Sequence, residues 1–470
     1  MQQYNYVVAS DTESVLAAPS GVGMQRHITS SFCAVLVRTH DSKVMRIRTH
    51  HGEDAAKQCV KALMEMRDEM IALNACPAAM VLSDEQQAKH RAATHCAYCK
   101  REFAKDLSRV RHHDHSKHCT AGETNYIATL CNPCNVACTT REKLPIMVHN
   151  LSYDLAGLLR EFHGKRPPFI VASSMEKIRS FEIGTFLFRD TMQYLNSSLG
   201  DPVETVKSMG GAEAFQCLKQ VFGKGYEILL RKGVFPYSYV SSFAVYDELT
   251  LPEKSFFRND LTGEDISEED YQYALLVFER FGCSNLRDYN ALYLKMDAIL
   301  HADVMQHFRR LCYSARGLEL LHCVSLASYS WQCALNYTQA KLELITEEDM
   351  YRTIESGVRG GLCQASRRHL QANNPLCSGY DPDKEEVYIS YIDCNNLYEF
   401  SMIKHLPVGD FEWVEDFSSV DFMRHPTDSD VGYVYVCDLE YPKSIHTLTR
   451  YFPLAPENAV VPKEWLSPFQ

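Results

Sequence analysis

The stretch YNYVVASDTESVL, residues 4–16, joins an apolar run to two acids that lie two positions apart, Asp11 and Glu13. Its β-branched and aromatic residues predict a strand. Side chains alternate between the two faces of a strand, so Asp11 and Glu13 share one face. Neighbouring carboxylates repel each other unless a proton or a cation lies between them. The stretch therefore predicts either a solvated strand end or a functional site.

Length and composition describe an ordinary globular chain of more than one domain. The 470 residues are 46% hydrophobic and 23% charged, with a formal net charge of −12. This length favours two or three domains. The net charge argues against indiscriminate coating of nucleic acid or of acidic membranes. It does not exclude a nucleic-acid enzyme, which gathers carboxylates around metal ions and keeps its basic residues along a groove.

Cysteine usage and the N-terminal residues bear on the compartment. Most of the 18 cysteines are scattered in apolar surroundings. The start, MQQYNYVVASD, has no basic head or long apolar stretch, and no run approaches the roughly 20 apolar residues that a membrane span needs. These features predict a soluble, intracellular protein with reduced thiols and no membrane partner. They leave open whether it works in a nucleus or in a viral or transposon context.

Changes in residue composition along the chain indicate its domain organisation. Apolar periodicity disappears and His and Cys become dense in the middle of an α/β pattern, which indicates a small insert. Two strands are predicted near the end, in EEVYISYIDCNNLY and GYVYVCDLEYP. The α/β domain is predicted in two parts, residues 1–88 and 141–315, with the insert at 89–140 between them. A linker (316–384) and a last unit (385–470) follow.

Four acids and a tyrosine follow one another in a particular order. Asp11 and Glu13 are expected at the end of the first strand, Asp154 where a strand gives way to a helix, and Asp297 within a helix. Tyr293 shares a helix face with Asp297, four residues later. Carboxylates that converge from separate elements can hold two divalent metals about 3.5 to 4 Å apart. The set predicts a Mg²⁺ or Mn²⁺ site for phosphodiester hydrolysis, with the tyrosine orienting the water.

Each of these motifs alone has a plainer interpretation. A DxE string is more often solvated surface, and NxxYD is more often a helix start with an Asp cap. A YxxxD string on a helix is usually a tyrosine packed over its own turn. The order and the predicted strand, strand-to-helix and helix settings favour the functional interpretation over these.

The same motifs resemble a known family. SDTESVL, HNLSYDLAGLL and YLKMDAILHAD look like the three exonuclease motifs of family B DNA polymerases, and YISYIDCNNLYEFSM looks like the first polymerase motif. Four further stretches are similar to the protein-primed branch found in Maverick/Polinton transposons and related viruses: FRDTMQYLNSSL, SFFRNDLTGEDISEEDY, RGGLCQASRRHLQANNP and YFPLAPENAVVPKEWLSPFQ. The resemblance runs from about residue 6 to residue 470.

The resemblance implies an α/β ribonuclease H-like 3′–5′ exonuclease domain, with a small zinc-binding insert, followed by an incomplete α+β polymerase palm. It implies that the four acids bind the exonuclease metals and that Tyr293 aids the attacking water. It also implies three residues that hold the single-stranded 3′ end: Asn150, Ser198 and Leu199.

For the polymerase module, the resemblance implies that Asp393 binds the metals of the incoming nucleotide and that Tyr398 packs under its sugar. The plainer alternative is a strand-end Asp that caps a turn, next to a core Tyr. Glu399 replaces the usual proline of the motif. A DNA-contacting link between the two modules is implied for Arg359, Gly360 and Gly361.

A second palm carboxylate, expected in a later D-T-D strand, does not follow Asp393. Two-metal phosphoryl transfer needs such a carboxylate. Asp438 lies in a predicted strand but does not match that motif. The expectation is a polymerase truncated within the palm, with complete exonuclease parts and no DNA synthesis by this chain alone.

The insert carries two CxxC pairs, Cys96/Cys99 and Cys131/Cys134. Paired CxxC knuckles preorganise four thiolates for tetrahedral zinc, and four unligated core cysteines are improbable in so polar a segment. The insert is therefore predicted to bind a structural Zn²⁺.

Between the knuckles, VRHHDH together with a later Asn resembles the core of HNH, recombination endonuclease VII-like nucleases. Four residues match: His113, Asp114, His115 and Asn135. His112 stands where the metal-binding Asp is expected, and the usual Arg-Gly before the third Cys is absent. These departures favour a structural zinc module that contacts DNA over one that cleaves it.

The sequence thus predicts a family B DNA-directed DNA polymerase of the protein-primed type, with a 3′–5′ exonuclease domain, acting in DNA replication. Its expected partners are single-stranded 3′ ends, primer-template DNA, deoxynucleotide triphosphates if the palm is completed, and a terminal priming protein. The alternatives are an HNH-type endonuclease and a catalytically inactive DNA-binding transposon remnant. Loss of 3′ degradation in Asp11→Ala, nicking that depends on His113, or salt-sensitive binding without turnover distinguishes the three.

Overall fold

The computed structural model describes two compact units, Met1–Tyr337 and Thr338–Gln470. The finer division into five segments stays a prediction. The residues that the structure describes are 3–17, 26–104, 107–137, 143–162, 167–174, 176–259, 262–358, 360, 363, 365, 367–421, 423–426, 428–450 and 459–469.

Nine strands lie in the described part of the first unit. Seven of them form one mixed sheet in the order β3-β2-β1-β6-β9-β8-β7, and β4 and β5 form a separate hairpin. Strand β1, the third in this order, is antiparallel to β2 and parallel to β6, and the central strand β6 is parallel to β9. The strands are β1 (Tyr6–Ala17), β2 (Arg26–Arg38), β3 (Lys43–His51), β4 (Arg109–His113), β5 (Tyr126–Cys131), β6 (Leu144–Val148), β7 (Phe169–Ser174), β8 (Lys177–Ile183) and β9 (Phe186–Asp190).

Helices cover both faces of the sheet, and further helices follow in the second unit. Those of the first unit are α1 (Ala55–Ala75), α2 (Asp84–Ala92), α3 (Asn132–Ala137), α4 (Leu151–Leu158), α5 (Met192–Leu195), α6 (Gly200–Gly210), α7 (Gln216–Phe222), α8 (Glu268–Arg280) and α9 (Leu286–Arg316), with α10 (Leu326–Thr338) at the boundary. Those described in the second unit are α11 (Glu348–Gly357), α12 (Leu397–Met402) and α13 (His446–Thr449).

The sheet separates two hydrophobic cores. One lies between β1, β2 and the helices α6, α7 and α9, and the other lies between the opposite face and the helices α1 and α4. Strands β6 and β9 are buried along their whole length because helices cover both of their faces. The expected α/β architecture of this part of the chain is confirmed.

The long helix α9 is fixed at both ends by its sequence. The side chain of Asn285 accepts a hydrogen bond from the backbone N–H of Asp288, and Gly317 ends the helix in the left-handed region with a φ of 67°. Between these ends, the helix carries Tyr293 and Asp297 on the side that packs on the first core. The predicted helix is confirmed.

One expectation about the first strand is corrected. Asp11 and Glu13 lie inside β1 and not at its end, because the ladder with β2 continues past them to Ala17. A β-bulge between Glu13 and Ser14 interrupts the register there. Bulges re-aim side chains and are frequent beside active sites.

The second unit corrects another expectation. The strands predicted in 385–398 and 432–442 are not formed, and the described residues of this unit contain only an isolated bridge between Asn373 and Val387. Among the described residues of this unit, only Asn374 is buried. A strand needs a neighbour for its backbone groups and an apolar layer for its buried face, and beyond the bridge at Val387 the described residues provide neither for these segments.

Two further predictions concern the whole chain. Within the part that the structure describes, no helix has both the length and the apolar character needed to cross a bilayer. The described cysteines are all unbridged.

Candidate active site

Three parallel strands bring acidic residues to one edge of the sheet. Asp11 and Glu13 lie on β1, Asp154 lies on α4 directly after β6, and Asp190 ends β9. The carboxyl ends of parallel strands meet at the same edge, which is where ligands of α/β sheets bind. Sequence order alone separated these residues by up to 179 positions.

Thr12 joins the first strand to the helix α4. Its hydroxyl donates a short hydrogen bond to Oδ1 of Asp154, and both side chains are buried. Burial raises the pKa of Asp154 to about 7, and the bond from Thr12 opposes that shift. Thr12 was not identified from sequence, where its one distinguishing feature is its place between the two acids of the DxE string.

Asp297 reaches the same site from α9. It is buried, and its Oδ1 has no hydrogen-bond partner among the residues that the structure describes. Burial raises its pKa to about 6, while Lys232 and hydrogen bonds from the Tyr293 side chain and the Gly233 backbone lower it. A buried carboxylate oxygen without a partner is costly unless a proton or a cation satisfies it.

The four acids influence one another electrostatically. Burial, then the charges of Asp154 and Asp297, raises the pKa of Asp11 well above its ordinary value. Burial, then the charges of Asp11, Asp297 and Asp154, does the same for Glu13. The carboxylates predicted from separate motifs are therefore brought together, and their mutual repulsion requires protons or metal ions.

The acids are spread more widely than three ligands of a single ion would be. No three of these carboxylates have ligand oxygens within 4.8 Å of one another, although they interact strongly. Two ions about 4 Å apart, each bound at about 2.1 Å, need ligands spread over roughly 8 Å. The unpaired Oδ1 of Asp297 and the all-oxygen donor set suit Mg²⁺ or Mn²⁺.

Lys232 supplies positive charge to this site and was not found by sequence reasoning. It lowers the pKa values of Asp11, Glu13 and Asp297. A Cβ added at Gly200 would lie 3.8 Å from its Cβ. The lysine therefore lies between the acids and the segment that begins α6.

Two tyrosines lie beside Asp297. The hydroxyls of Tyr237 and Tyr293 are 2.6 Å apart, and the Tyr237 side chain remains 47% exposed. Gly233 lies against the same helix, where an added Cβ would clash with Met296 and lie 2.8 Å from Tyr293 Cδ2. The glycine lets its backbone reach Asp297, and neither it nor Tyr237 was identified from sequence.

Asp190 anchors the loop that precedes Asp154. Its Oδ1 accepts hydrogen bonds from the backbone N–H groups of Asn150 (3.1 Å), Leu151 (3.4 Å) and Met192 (3.1 Å). A carboxylate at the first turn of α4 also suits the positive end of the helix dipole. An acid directly after a buried strand was the signal available in the sequence.

The residues expected to hold a single-stranded 3′ end differ in their exposure to solvent. Asn150 is exposed and has a left-handed backbone with a φ of 74°, and Ser198 is exposed. Leu199 is buried in the first core. Their contacts with DNA stay predictions.

The predicted polymerase residues are not gathered into an enclosed site. Asp393 is exposed, and Tyr398 on α12 is 88% exposed. Gly360 is exposed as well. The other two residues of the predicted link, Arg359 and Gly361, lie outside the described residues.

The four cysteines of the insert converge. The sulfurs of Cys96, Cys99, Cys131 and Cys134 all lie within 4.8 Å of one another, and those of Cys99 and Cys131 are 3.8 Å apart. Tetrahedral zinc with Zn–S bonds of 2.3 Å requires sulfurs about 3.8 Å apart. The donor set and the spacing therefore fit a zinc ion.

Hydrogen bonds favour the thiolate form at Cys99 and Cys96, whereas burial raises the pKa of the Cys134 thiol. The side chain of Arg101, 3.5 Å from the Cys99 sulfur, lowers the pKa of that thiol to about 6. Burial opposes ionisation of Cys96, but backbone N–H groups, including that of Cys131 at 3.3 Å, outweigh it and lower its pKa. Thiolates are the form that binds zinc.

The candidate HNH residues surround the hairpin β4-β5 and the helix α3. Nδ1 of His112 lies 2.8 Å from Oδ1 of Asn135, and the rings of His113 and His115 stack at 4.2 Å. The Asp114 carboxylate accepts bonds from the backbone N–H and hydroxyl of Ser116. Asn135 is thus paired with His112, and Asp114 is held within its own turn.

Comparison with known proteins places this arrangement in a family. The profile of the family "DNA polymerase type B, organellar and viral" matches residues 138–461, which is more than half of the chain. The chain belongs to this family of type B DNA polymerases. The resemblance found in the motifs is confirmed, and the match includes Asp154, Asp297 and Asp393.

Other comparisons add little. No curated protein matches the chain. Among solved structures, Phi29 DNA polymerase, in a complex with primer-template DNA and incoming nucleotide substrates, is similar at 10% identity with a TM-score of 0.29. That match covers 77% of this chain and 40% of the Phi29 chain, so the present chain spans less than half of that polymerase's length.

Proposed function

We propose that this chain acts in DNA replication as a family B DNA polymerase of the protein-primed type, and that its first unit removes nucleotides from single-stranded 3′ ends. The strand order β3-β2-β1-β6-β9, with β1, β6 and β9 parallel, supports a ribonuclease H-like exonuclease domain. The observation that carries the proposal is the meeting of Asp11, Glu13, Asp154 and Asp297, each with a raised pKa.

The chemistry follows from the donor set. When bound, two divalent ions would activate water and stabilise the leaving oxygen of a phosphodiester. Asp11, Glu13, Asp154 and Asp297 would hold them. The Tyr293 hydroxyl, bonded to Asp297 and 2.6 Å from Tyr237, would orient the attacking water. Lys232 would offset negative charge as the leaving group departs.

Primer extension is not assigned to the described residues. It requires Asp393 and at least one further carboxylate around the nucleotide metals, with Tyr398 against the sugar. Both named residues are exposed. The nucleotide, the primer-template and a terminal priming protein remain proposed partners of the polymerase activity.

The insert is proposed to be a structural zinc module. Its support is the four-sulfur cluster, in which two thiols have lowered pKa values. The HNH endonuclease alternative has less support, since Asp114 is bonded within its own turn and His112 replaces the expected acid.

A degradation assay tests the exonuclease proposal. The full chain, given 5′-labelled single-stranded DNA and Mg²⁺, should shorten it from the 3′ end. Asp11→Asn and Asp297→Asn should each lower the rate roughly thousandfold or more. Asp288→Asn, an exposed acid in the first turn of the same helix α9, is the matched control and should keep full activity. Unchanged degradation by Asp297→Asn would overturn the proposal, and so would an inactive parent protein.

A further inference from the structure

The zinc-binding insert carries positive charge that the rest of the chain lacks. Residues 89–118 hold eight lysines and arginines, six histidines and three acids, within a chain whose formal net charge is −12. A local excess of cations in an acidic protein is the electrostatic signature of a polyanion partner. Composition alone does not show whether these cations share one surface, so their placement decides the matter.

Three arginines meet where α2 packs on the hairpin β4-β5. Arg109 and Arg111 alternate along β4 and so share a face. Arg109 Nη1 donates to the backbone carbonyl of Arg91, the last-turn arginine of α2, at 2.6 Å. We name Arg91, Arg109 and Arg111 the arginine cluster.

His90 shows how close this packing is. Its Nδ1 lies 2.9 Å from the hydroxyl of Thr129, the residue directly opposite Arg111 on β5. Burial, then the charges of Arg111 and Arg109, lowers the pKa of His90. The end of α2 and the arginine face of the hairpin are therefore in contact.

Local structure explains only part of the arginine cluster. Basic residues in the last turn of a helix suit its dipole, and Arg109 caps α2 with one of its five N–H groups. Arg111 makes no such capping bond within the described part of the chain, and its Nε is buried there without a hydrogen-bond partner. None of the three arginines pairs with a carboxylate among the residues that the structure describes, whereas Lys89 nearby pairs with Glu85.

We propose that the arginine cluster binds the phosphodiester backbone of DNA, as a contact surface separate from the acidic site. Guanidinium groups donate in a planar fork that matches phosphate oxygens. The zinc cluster would hold β5 and α3 in place, since Cys131 ends β5 and Cys134 lies on α3. The proposal shares with the proposed function only the assumption that DNA is the ligand.

The test measures DNA binding by the full chain at several salt concentrations. The proteins carry Asp11→Ala so that the DNA is not degraded, and the probes are a fluorescein-labelled 20-nucleotide single strand and a 20-base-pair duplex. Neutralising all three arginines (Arg91→Gln, Arg109→Gln, Arg111→Gln) should weaken binding of at least one probe about tenfold or more. It should also lower the slope of log K against log salt by about 2 to 3. Whichever probe responds identifies the strandedness of the ligand.

Controls keep the outcome interpretable. Arg67→Gln makes the same charge change at an arginine paired with Asp68 and should leave the slope unchanged. Zinc content and the far-ultraviolet circular dichroism of the triple variant should match those of the parent. If they do not, the single variant Arg111→Gln replaces it, because that side chain has no capping role. The slope of log K against log salt should then be lower by about 1. Unchanged affinity and slope with both probes in a folded variant, or tighter binding of a phosphoserine peptide than of either DNA, would overturn the proposal. Because binding is measured without turnover, an inactive exonuclease site would not affect this result.

Discussion

The hydroxyl of Thr12 donates a hydrogen bond to the carboxylate of Asp154, a residue 142 positions later in the chain. This bond joins strand β1 to the first helix after β6. It holds Asp154 beside Asp11 and Glu13 and offsets part of the rise in its pKa. A single polar contact thus connects two motifs that are far apart in sequence.

Replacing Thr12 by Val should weaken this connection. Asp154 would lose a donor in a buried setting, which costs about 1 to 3 kcal/mol of unfolding free energy. The exonuclease rate should fall about tenfold because the carboxylate is less well oriented. Thr12→Ser, which keeps the hydroxyl, should restore most of both losses. Equal rates for Thr12→Val and the parent would show that the bond does not position Asp154.

The raised carboxylate pKa values predict how stability depends on pH without added divalent metal. Between the ordinary value of about 4 and the folded values of about 6 for Asp297 and about 7 for Asp154, the folded chain keeps protons that the unfolded chain has lost. The free energy of unfolding should therefore fall as pH rises through this window, on the order of 3 kcal/mol for Asp297. Thermal melts from pH 4 to pH 8 measure it.

The double variant Asp154→Asn/Asp297→Asn is the comparison for that experiment. It should lose less stability over the same pH range, and millimolar Mg²⁺ should stabilise the parent more than the variant. Parallel curves for the two proteins would mean that burial does not raise the pKa values of these two carboxylates in the folded chain.

Tyr293 should matter for rate more than for folding. Tyr293→Phe removes the hydroxyl that bonds to Asp297 and Tyr237, and the exonuclease rate should fall about 10- to 100-fold. Tyr289→Phe is the matched control, a buried tyrosine of the same helix whose hydroxyl donates to the Val234 carbonyl at 2.7 Å. It should lower stability and leave the rate per folded molecule unchanged. The reverse pattern would remove Tyr293 from the proposed chemistry.

The insert should contain one zinc ion per chain. Cys131→Ser should abolish that zinc and expose the insert to limited proteolysis, because the small core there is built around the cysteines. Cys119→Ser changes a thiol outside the cluster and should keep the metal. Zinc measured by mass spectrometry of the intact protein distinguishes the two. Full zinc content in Cys131→Ser would refute the assigned ligands.

The sequence predicted the parts of the site that depend on local periodicity. Asp11 and Glu13 share a strand face, and Tyr293 and Asp297 share a helix face, because strands and helices have fixed repeats. The CxxC spacing likewise predicted the four-sulfur cluster, which the structure brings together. In each case the two residues of a pair lie close together in the chain, although the two CxxC pairs themselves are far apart.

Contacts that depend on tertiary packing were not predictable in this way. Lys232 and Gly233 follow a 3₁₀ turn and reach the acids only because that loop packs on α9. The strands expected around Asp393 and Asp438 failed for a related reason. Alternating apolar residues form a strand only when a neighbour completes the ladder, and the described residues of the second unit provide only the single bridge between Asn373 and Val387.

Counting bound Mn²⁺ by electron paramagnetic resonance tests the central claim most directly, because it measures the metal pair independently of activity. In the presence of a short single-stranded oligonucleotide, the parent protein should bind about two Mn²⁺ ions per chain. Asp11→Asn/Asp297→Asn should bind fewer than one. Equal numbers for the two proteins would contradict the assignment of these carboxylates as the metal-binding site.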